Sequence, residues 1–340
     1  MDEWDEKEAR AERLADEGHK ADAVRLLYEG VVACAKARRF SAAERLRAAL
    51  MRIDPMALVE IVHSAEIIEA EKAAGLDPAH LELWAALYGN FLPDERNALF
   101  YALQKLKVEP GTEVLCQGKL NSRLFLVNRG RLRVVVRQGE RETFLKEVGA
   151  GEIVGVDTFF PITVCTHSVL AGSGVELSVL ERKDLLEIEA SFAGFEAKLE
   201  DSCRRAEKKT VEDILKEKEV ERRRFSRHRV NGRVHVQIVD KDNQPTGASF
   251  NGHLEDLSSG GASFMIKCSQ KSIARSLLGR RALFRIEFEN AGRRMELTAS
   301  GLILGAVFQL FNDYSIHVRF GKNMSEEDVR RILAAMAGEV

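Results

Sequence analysis

The sequence predicts a multidomain α+β protein, and three observations carry that prediction. From Glu3 to about Ala102 apolar residues recur at helical spacing with few β-branched runs, the pattern of successive helices. At Glu109-Pro110-Gly111 this gives way to short apolar runs separated by glycine turns. After Arg227 the alternation settles to a period of two, as in strands with one buried face.

A chain of 340 residues is long enough for two or three domains. With 45% apolar and 31% charged residues it has the composition of a folded soluble protein. No run approaches the roughly 18 apolar residues of a membrane span, so no membrane association is expected. The acidic start Met1-Asp2-Glu3-Trp4-Asp5-Glu6 lacks an apolar core and does not read as a signal peptide, which points to the cytoplasm. Cys34, Cys116, Cys165, Cys203 and Cys268 lie too far apart for a metal or redox pair, so free thiols and no metal are expected. A net charge of -2 gives no broad field for nucleic acid, and an anionic ligand must be met by a local cluster. Histidines fall without a His-Glu-x-x-His or Cys-His pairing, and no glycine loop leads into a helix to cradle a phosphate. An enzyme is therefore not expected, and no catalytic residue or cofactor is assigned.

Residues 1–105 read as a helical region. Its best-defined piece runs from Ala33 through Phe40 and Leu50 to Asp54-Pro55, with small residues at close-approach positions and an aromatic at the turn. This piece resembles a tetratricopeptide-type helix pair, and Leu14 to Leu27 resembles a weaker copy; a plain bundle with an alanine-rich seam fits the same pattern. A repeat of this kind implies a surface for a protein partner. Asp77-Pro78 and Pro93 each open a further helix.

Residues 106–181 read as a β-roll, with runs at Glu113–Cys116, Leu124–Val127, Leu132–Val136 and Leu145–Val148. Pro110-Gly111-Thr112, Asn128 to Leu132 and Gly149 to Gly155 fall where the cyclic nucleotide-binding domain has its turns, and about Leu106 to Glu200 resembles that family. The resemblance implies an acid for the ribose and an arginine for the cyclic phosphate, because a guanidinium matches phosphate geometry. Here Asp157 holds the acid position, and Cys165-Thr166-His167 stands where the arginine belongs. Cyclic AMP is accordingly not an expected ligand.

Residues 182–221 read as one long connecting helix interrupted by no proline and only Gly194. Leu185, Ile188, Phe192, Phe195, Leu199, Ser202 and Ala206 form a narrow seam, which suits a coiled-coil homodimer through 185–206 or packing on the roll.

Residues 222–340 read as a small antiparallel barrel, with runs at Val234–Ile238, His253–Leu257, Ala262–Ile266, Ala282–Phe288, Met295–Ala299 and Tyr314–Phe320, a hairpin at Asn290-Ala291-Gly292, and a last helix from Val329 to Ala337. Arg223 and Arg227, with three residues between them, are followed by Asp256-x-Ser258-x-x-Gly261 at a strand end. The two halves together resemble the PilZ domain, a receptor for cyclic di-GMP. That ligand offers two phosphates and two guanines, and arginine can serve both. The resemblance implies Arg223 and Arg227 on phosphates and guanine edges, Asp256 on a guanine amino edge, Ser258 on a phosphate or ribose oxygen, and Gly261 at a close backbone approach. Arg222, just before the pair, implies two intercalated ligand molecules. The expected function is a cyclic di-GMP effector whose arginine linker reorients the domains and alters a protein–protein contact. A transcription regulator of the cyclic nucleotide-receptor type, or a scaffold that has lost its nucleotide, are the alternatives.

Overall fold

The structure, a computed structural model, describes residues 3–138, 141–207, 210–217, 225–290, 293–309, 313–325, 327 and 329–330. Its contacts divide the chain into two units, one of residues 1–104 with 183–202 and one of residues 105–182 with 203–340.

The first unit begins with α1 (Glu3–Asp16), α2 (Lys20–Lys36), α3 (Phe40–Ile53) and α4 (Leu58–Ala74). Ala11, Ala23, Ala35, Ala43 and Ala49 are all fully buried, which sets the close helix spacing that the small residues predicted. At Gly30 an added Cβ would stand 3.0 Å from Leu46 Cδ1, so α2 and α3 touch there. The turns are helped by Arg38, with φ at 57°. The short helices α5 (Pro78–Leu83) and α6 (Ala85–Tyr88) precede α7 (Pro93–Ala102). Asp77 caps α5 by accepting from the Ala79 N–H, with Pro78 in the first turn.

The continuous helix expected over 182–221 is instead three: α9 (Arg182–Ser191), α10 (Phe195–Ala206) and α11 (Val211–Glu217). The break has a local cause. Gly194 takes φ of 87°, and both oxygens of the Glu189 carboxylate accept backbone N–H groups at Gly194 and Glu196, capping α10. The seam expected to pair two copies is used inside the chain. Leu185, Ile188, Phe195 and Leu199 are buried, Phe195 lies 5.0 Å from Phe91, and Asn90 Nδ2 donates to Ser202 Oγ. Its partner is the helical unit, which neither a coiled coil nor packing on the roll anticipated.

The second unit opens with the roll. Its strands are β1 (Gln104–Val108), β2 (Glu113–Leu115), β3 (Arg123–Arg129), β4 (Leu132–Gln138), β5 (Arg141–Val148) and β6 (Ile153–Val154), then the single turn α8 (Val156–Phe159), β7 (Ile162–Thr163), β8 (Ser168–Ala171) and β9 (Val175–Glu181). Two four-stranded sheets, β1-β9-β3-β6 and β2-β8-β4-β5, enclose a core that includes Phe125, Val127, Val134 and Leu177. The charged helix α11 adds Val211, Ile214 and Leu215 to this core.

The barrel is made of β10 (His228–Val239), β11 (Pro245–Ser258), β12 (Gly261–Lys267), β13 (Arg281–Asn290), β14 (Arg293–Phe308) and β15 (Asp313–Phe320), with the short helix α12 (Lys271–Ser276) between β12 and β13. Neighbours run β13-β10-β11-β12-β15-β14, and β13 also pairs β14, so six antiparallel strands close. Val234, Val236 and Ile238 point inward with Phe264, Phe284 and Ile316, as the alternation required. A seventh strand joins this sheet from outside: β7 of the roll pairs antiparallel with β14. The sequence reading contained no such strand. The hairpin residues 291–292 and most of the final helix lie outside the described residues.

Candidate ligand-binding site on the barrel

Arg227 approaches the first barrel strand, and Asp256 stands near the end of β11, where a register irregularity between Leu254 and Asp256 bends the strand. Such an irregularity re-aims a side chain, here the carboxylate. The pairing of β10 with β11 sets Arg229 opposite Asp256. Arg227 Nη1 then meets Asp256 Oδ2 at 3.3 Å, with the two side chains 31% and 23% exposed. Asp256 Oδ1 is shut off from solvent and has no hydrogen-bond partner among the described residues. A shielded carboxylate oxygen without a donor is costly, so it is a ready acceptor for a ligand N–H.

The turn after β11 is held from behind. Phe320 N–H donates to the Gly260 carbonyl at 2.9 Å and Met324 N–H to the Ser259 carbonyl at 2.8 Å. Ser258 Oγ donates to the Gly261 carbonyl at 3.0 Å and is buried, so its proton serves the turn. At Gly261 an added Cβ would lie 2.1 Å from the Val318 carbonyl oxygen, which makes glycine a requirement of the neighbouring strand β15. At Gly260 the added Cβ would lie 2.6 Å from Phe225 Cδ2. The Phe225 ring therefore rests on Gly260 and ties the arginine segment to the turn.

Thus Arg227, Asp256, Ser258 and Gly261 come together at one end of the barrel, while Arg222 and Arg223 lie outside the described residues. Phe225 and Gly260 were missed in the sequence; the signal available was an aromatic inside the arginine run and a doubled glycine in the turn. Farther along the same strands an open groove of about 910 Å³ is lined by Arg233, His235, His253 and Arg285 among others.

In the roll, His167 and Asp157 face each other, Nδ1 to Oδ2 at 3.5 Å, with His167 buried. His167, one of the three residues expected around the arginine position, is thus directed to Asp157. Burial, with the Asp157 charge adding, pushes the Cys165 thiol up to about 11, where it stays protonated. Burial likewise raises the Glu207 carboxyl, with Lys146 and Arg204 opposing the shift and Asp157 and Asp213 adding to it. This corner sets Asp157, Glu207 and Asp213 beside Lys146 and Arg204.

Residues 221–338 match the family model of the PilZ domain. The barrel is a PilZ domain. Residues 105–191 match the cyclic nucleotide-binding domain, which gives the roll its family. PilZ and cyclic nucleotide-binding domains are binding and regulatory families. Among solved structures the chain is similar to a cyclic nucleotide-binding domain from Methylobacillus flagellatus, at 20% identity over 37% of this chain and 74% of that one, with a TM-score of 0.34. It is similar also to the Thermus thermophilus catabolite activator protein, at 24% identity over 35% of this chain and 57% of that one, with a TM-score of 0.32. No curated protein matches the chain. Among the described residues no helix is long and apolar enough to cross a membrane, and no group of His, Cys, Asp and Glu is placed to hold a metal.

Proposed function

We propose that the chain is a cytoplasmic effector that binds cyclic di-GMP on its PilZ barrel and passes the event to another protein. The observation that carries the reading is the pairing of Arg227 with Asp256 beside an unclaimed carboxylate oxygen, inside a segment matched by the PilZ model. Arg227, with Arg222 and Arg223, supplies guanidinium donors for phosphate and guanine edges. Asp256 accepts from a guanine amino group, and the turn Ser258 to Gly261 fixes the approach. Arg222 before the pair argues for two intercalated molecules.

The roll is read as a folded partner with no cyclic AMP site, because Cys165, Thr166 and His167 stand where an arginine is expected and His167 and Asp157 answer each other. The output surface is assigned to the helical unit, where Met56, Leu58, Val59 and Val62 are exposed on and just before α4. Apolar side chains grouped in this way suit a protein partner. An enzyme and a DNA-binding regulator are the readings set aside; in the position of a DNA-binding head the chain has the barrel.

The test is titration calorimetry of the full chain with cyclic di-GMP and, separately, cyclic AMP, repeated with Arg227→Ala. Heat with cyclic di-GMP alone, lost in the variant, supports the reading. Absence of heat with the unmutated chain leaves the degenerate scaffold as the answer.

A further inference from the structure

The roll lends a strand to the barrel, and that strand lies in line with the ligand site. Four cross-strand pairings make the line: Asp256 opposite Ser263, Ser263 opposite His317, His317 opposite Gly305, and Gly305 opposite Thr163 of β7. Partners across a sheet share a face, so the row runs on one side of the barrel from the acid of the site to the roll.

The attachment is small and separable. β7 has two residues, and the barrel already closes through the pairing of β13 with β14. Along one edge β14 pairs first with β13 up to Leu302, then exchanges hydrogen bonds at Ile303 with Gly279 and Arg280, and lastly takes β7 at Gly305 and Ala306. The last part of that edge is covered by the roll alone among the described residues. Val164 N–H donates to the Leu304 carbonyl at 3.0 Å, and Arg275 Nη2 donates to the Phe160 carbonyl at 3.1 Å. One apolar side chain of β7, Ile162, joins the core of the barrel, while the roll core is assembled without it. The register between β14 and β15 slips between Ile303 and Gly305, at the seam itself.

We propose that β7 is a latch between roll and barrel, and that cyclic di-GMP bound at Asp256 favours its release. The proposal rests on the receptor reading above. The sign follows from the size of the contact: β7 offers two ladder residues and one apolar side chain, so its opening is the change that a ligand's differential binding can drive. Release parts the roll from the barrel and bares the β14 edge at Leu304–Ala306, a row of unpaired backbone groups open to strand addition.

The experiment uses the full chain. Hydrogen exchange at the Val164 amide is followed with and without cyclic di-GMP, with calorimetry on the same sample to show that the site is filled. We expect exchange to quicken by about fivefold or more, the low end of ordinary coupling between sites. A second arm uses Thr163→Cys with Gly305→Cys, a pair suggested by the 3.4 Å between Thr163 Oγ1 and the position of an added Gly305 Cβ. Reduced, this variant should bind as the unmutated chain does, which also shows that it folds. Oxidised, with the new link confirmed by peptide mapping among the native cysteines, it should bind more weakly, since the link denies the ligand the open form that it favours. Exchange that is unchanged or slower in the filled protein, or equal affinity of the oxidised and reduced variant, overturns the latch. Absence of heat is a separate result: it overturns the receptor reading, and the ligand-operated latch falls with it.

Discussion

The Arg227 guanidinium and the Asp256 carboxylate lie 3.3 Å apart, each holding the other in place at one end of the barrel. A half-exposed pair of this kind contributes little to stability. Its two members matter more as a positioned donor and acceptor. Replacing Arg227 by Ala should weaken cyclic di-GMP binding by about 10- to 100-fold, the loss of one or two charge-assisted hydrogen bonds. Asp256→Ala should cost a similar factor, and the double variant should cost less than the product, because each single change also removes the other's partner. Calorimetry of the four proteins closes the cycle; strictly multiplicative losses would mean that the pair does not act together.

Gly260 and Gly261 stand side by side and should fail in different ways. An added methyl at Gly261 meets the Val318 carbonyl at 2.1 Å, and backbone has no rotamer through which to give way. Gly261→Ala should destabilise the barrel by about 1–3 kcal/mol, the usual cost of overpacking. At Gly260 the obstacle is the Phe225 ring, which can swing. Gly260→Ala should leave the melting temperature nearly unchanged and weaken ligand binding by displacing the arginine segment. Thermal melts beside calorimetry separate the two.

These glycines also mark how far the sequence could be read. Arg227 was tied to Asp256, Ser258 and Gly261 through the resemblance to a family motif, and the structure brings these four to one end of the barrel, while Arg223 lies outside the described residues. The reason for Gly261 was not visible, since Val318 approaches from a strand brought alongside by the fold. The barrel itself was legible from a period of two, which repeats in every strand. β7 was not, because two residues after Pro161 carry no period and their partner belongs to another domain. The break at Gly194 had a readable signal, a glycine preceded by Glu189 at capping distance, but helix propensity over the whole stretch outweighed it. The seam of the connecting helix was expected to meet a second copy or the roll, whereas α9 and α10 complete the helical unit through Phe91 and Glu95, contacts that no spacing encodes.

In the helical unit Glu95 is almost fully buried and meets Lys198. Burial alone would raise its carboxyl, but the Lys198 ammonium and the Leu92 N–H overcome this and hold it below the usual range. A depressed carboxyl contributes stability that is present above its unfolded value and is lost as pH falls through the folded one. The unit should therefore weaken in acid, and Glu95→Gln should flatten that dependence. Lys198→Met should be the more damaging change at neutral pH, because it leaves a buried anion without its cation. Urea melts of the three proteins across the acid range provide the check; equal losses for the two variants would contradict the buried-anion argument.

Glu207 in the second unit runs the other way. Burial raises its carboxyl, Asp157 and Asp213 raise it further, and Lys146, 3.8 Å away, only partly compensates. A carboxyl raised on folding binds its proton more tightly in the native state, so ionising it costs stability as pH rises through its unfolded value toward the folded one. Glu207→Gln removes that cost while keeping the shape of the side chain. The variant and the unmutated chain should melt together near pH 4, close to the unfolded value of a glutamate. The variant should then gain as pH rises to neutrality. Melting temperatures measured at intervals over that range decide it, and a variant less stable at neutral pH would show that Lys146 and Arg204 outweigh burial and the carboxylates of Asp157 and Asp213.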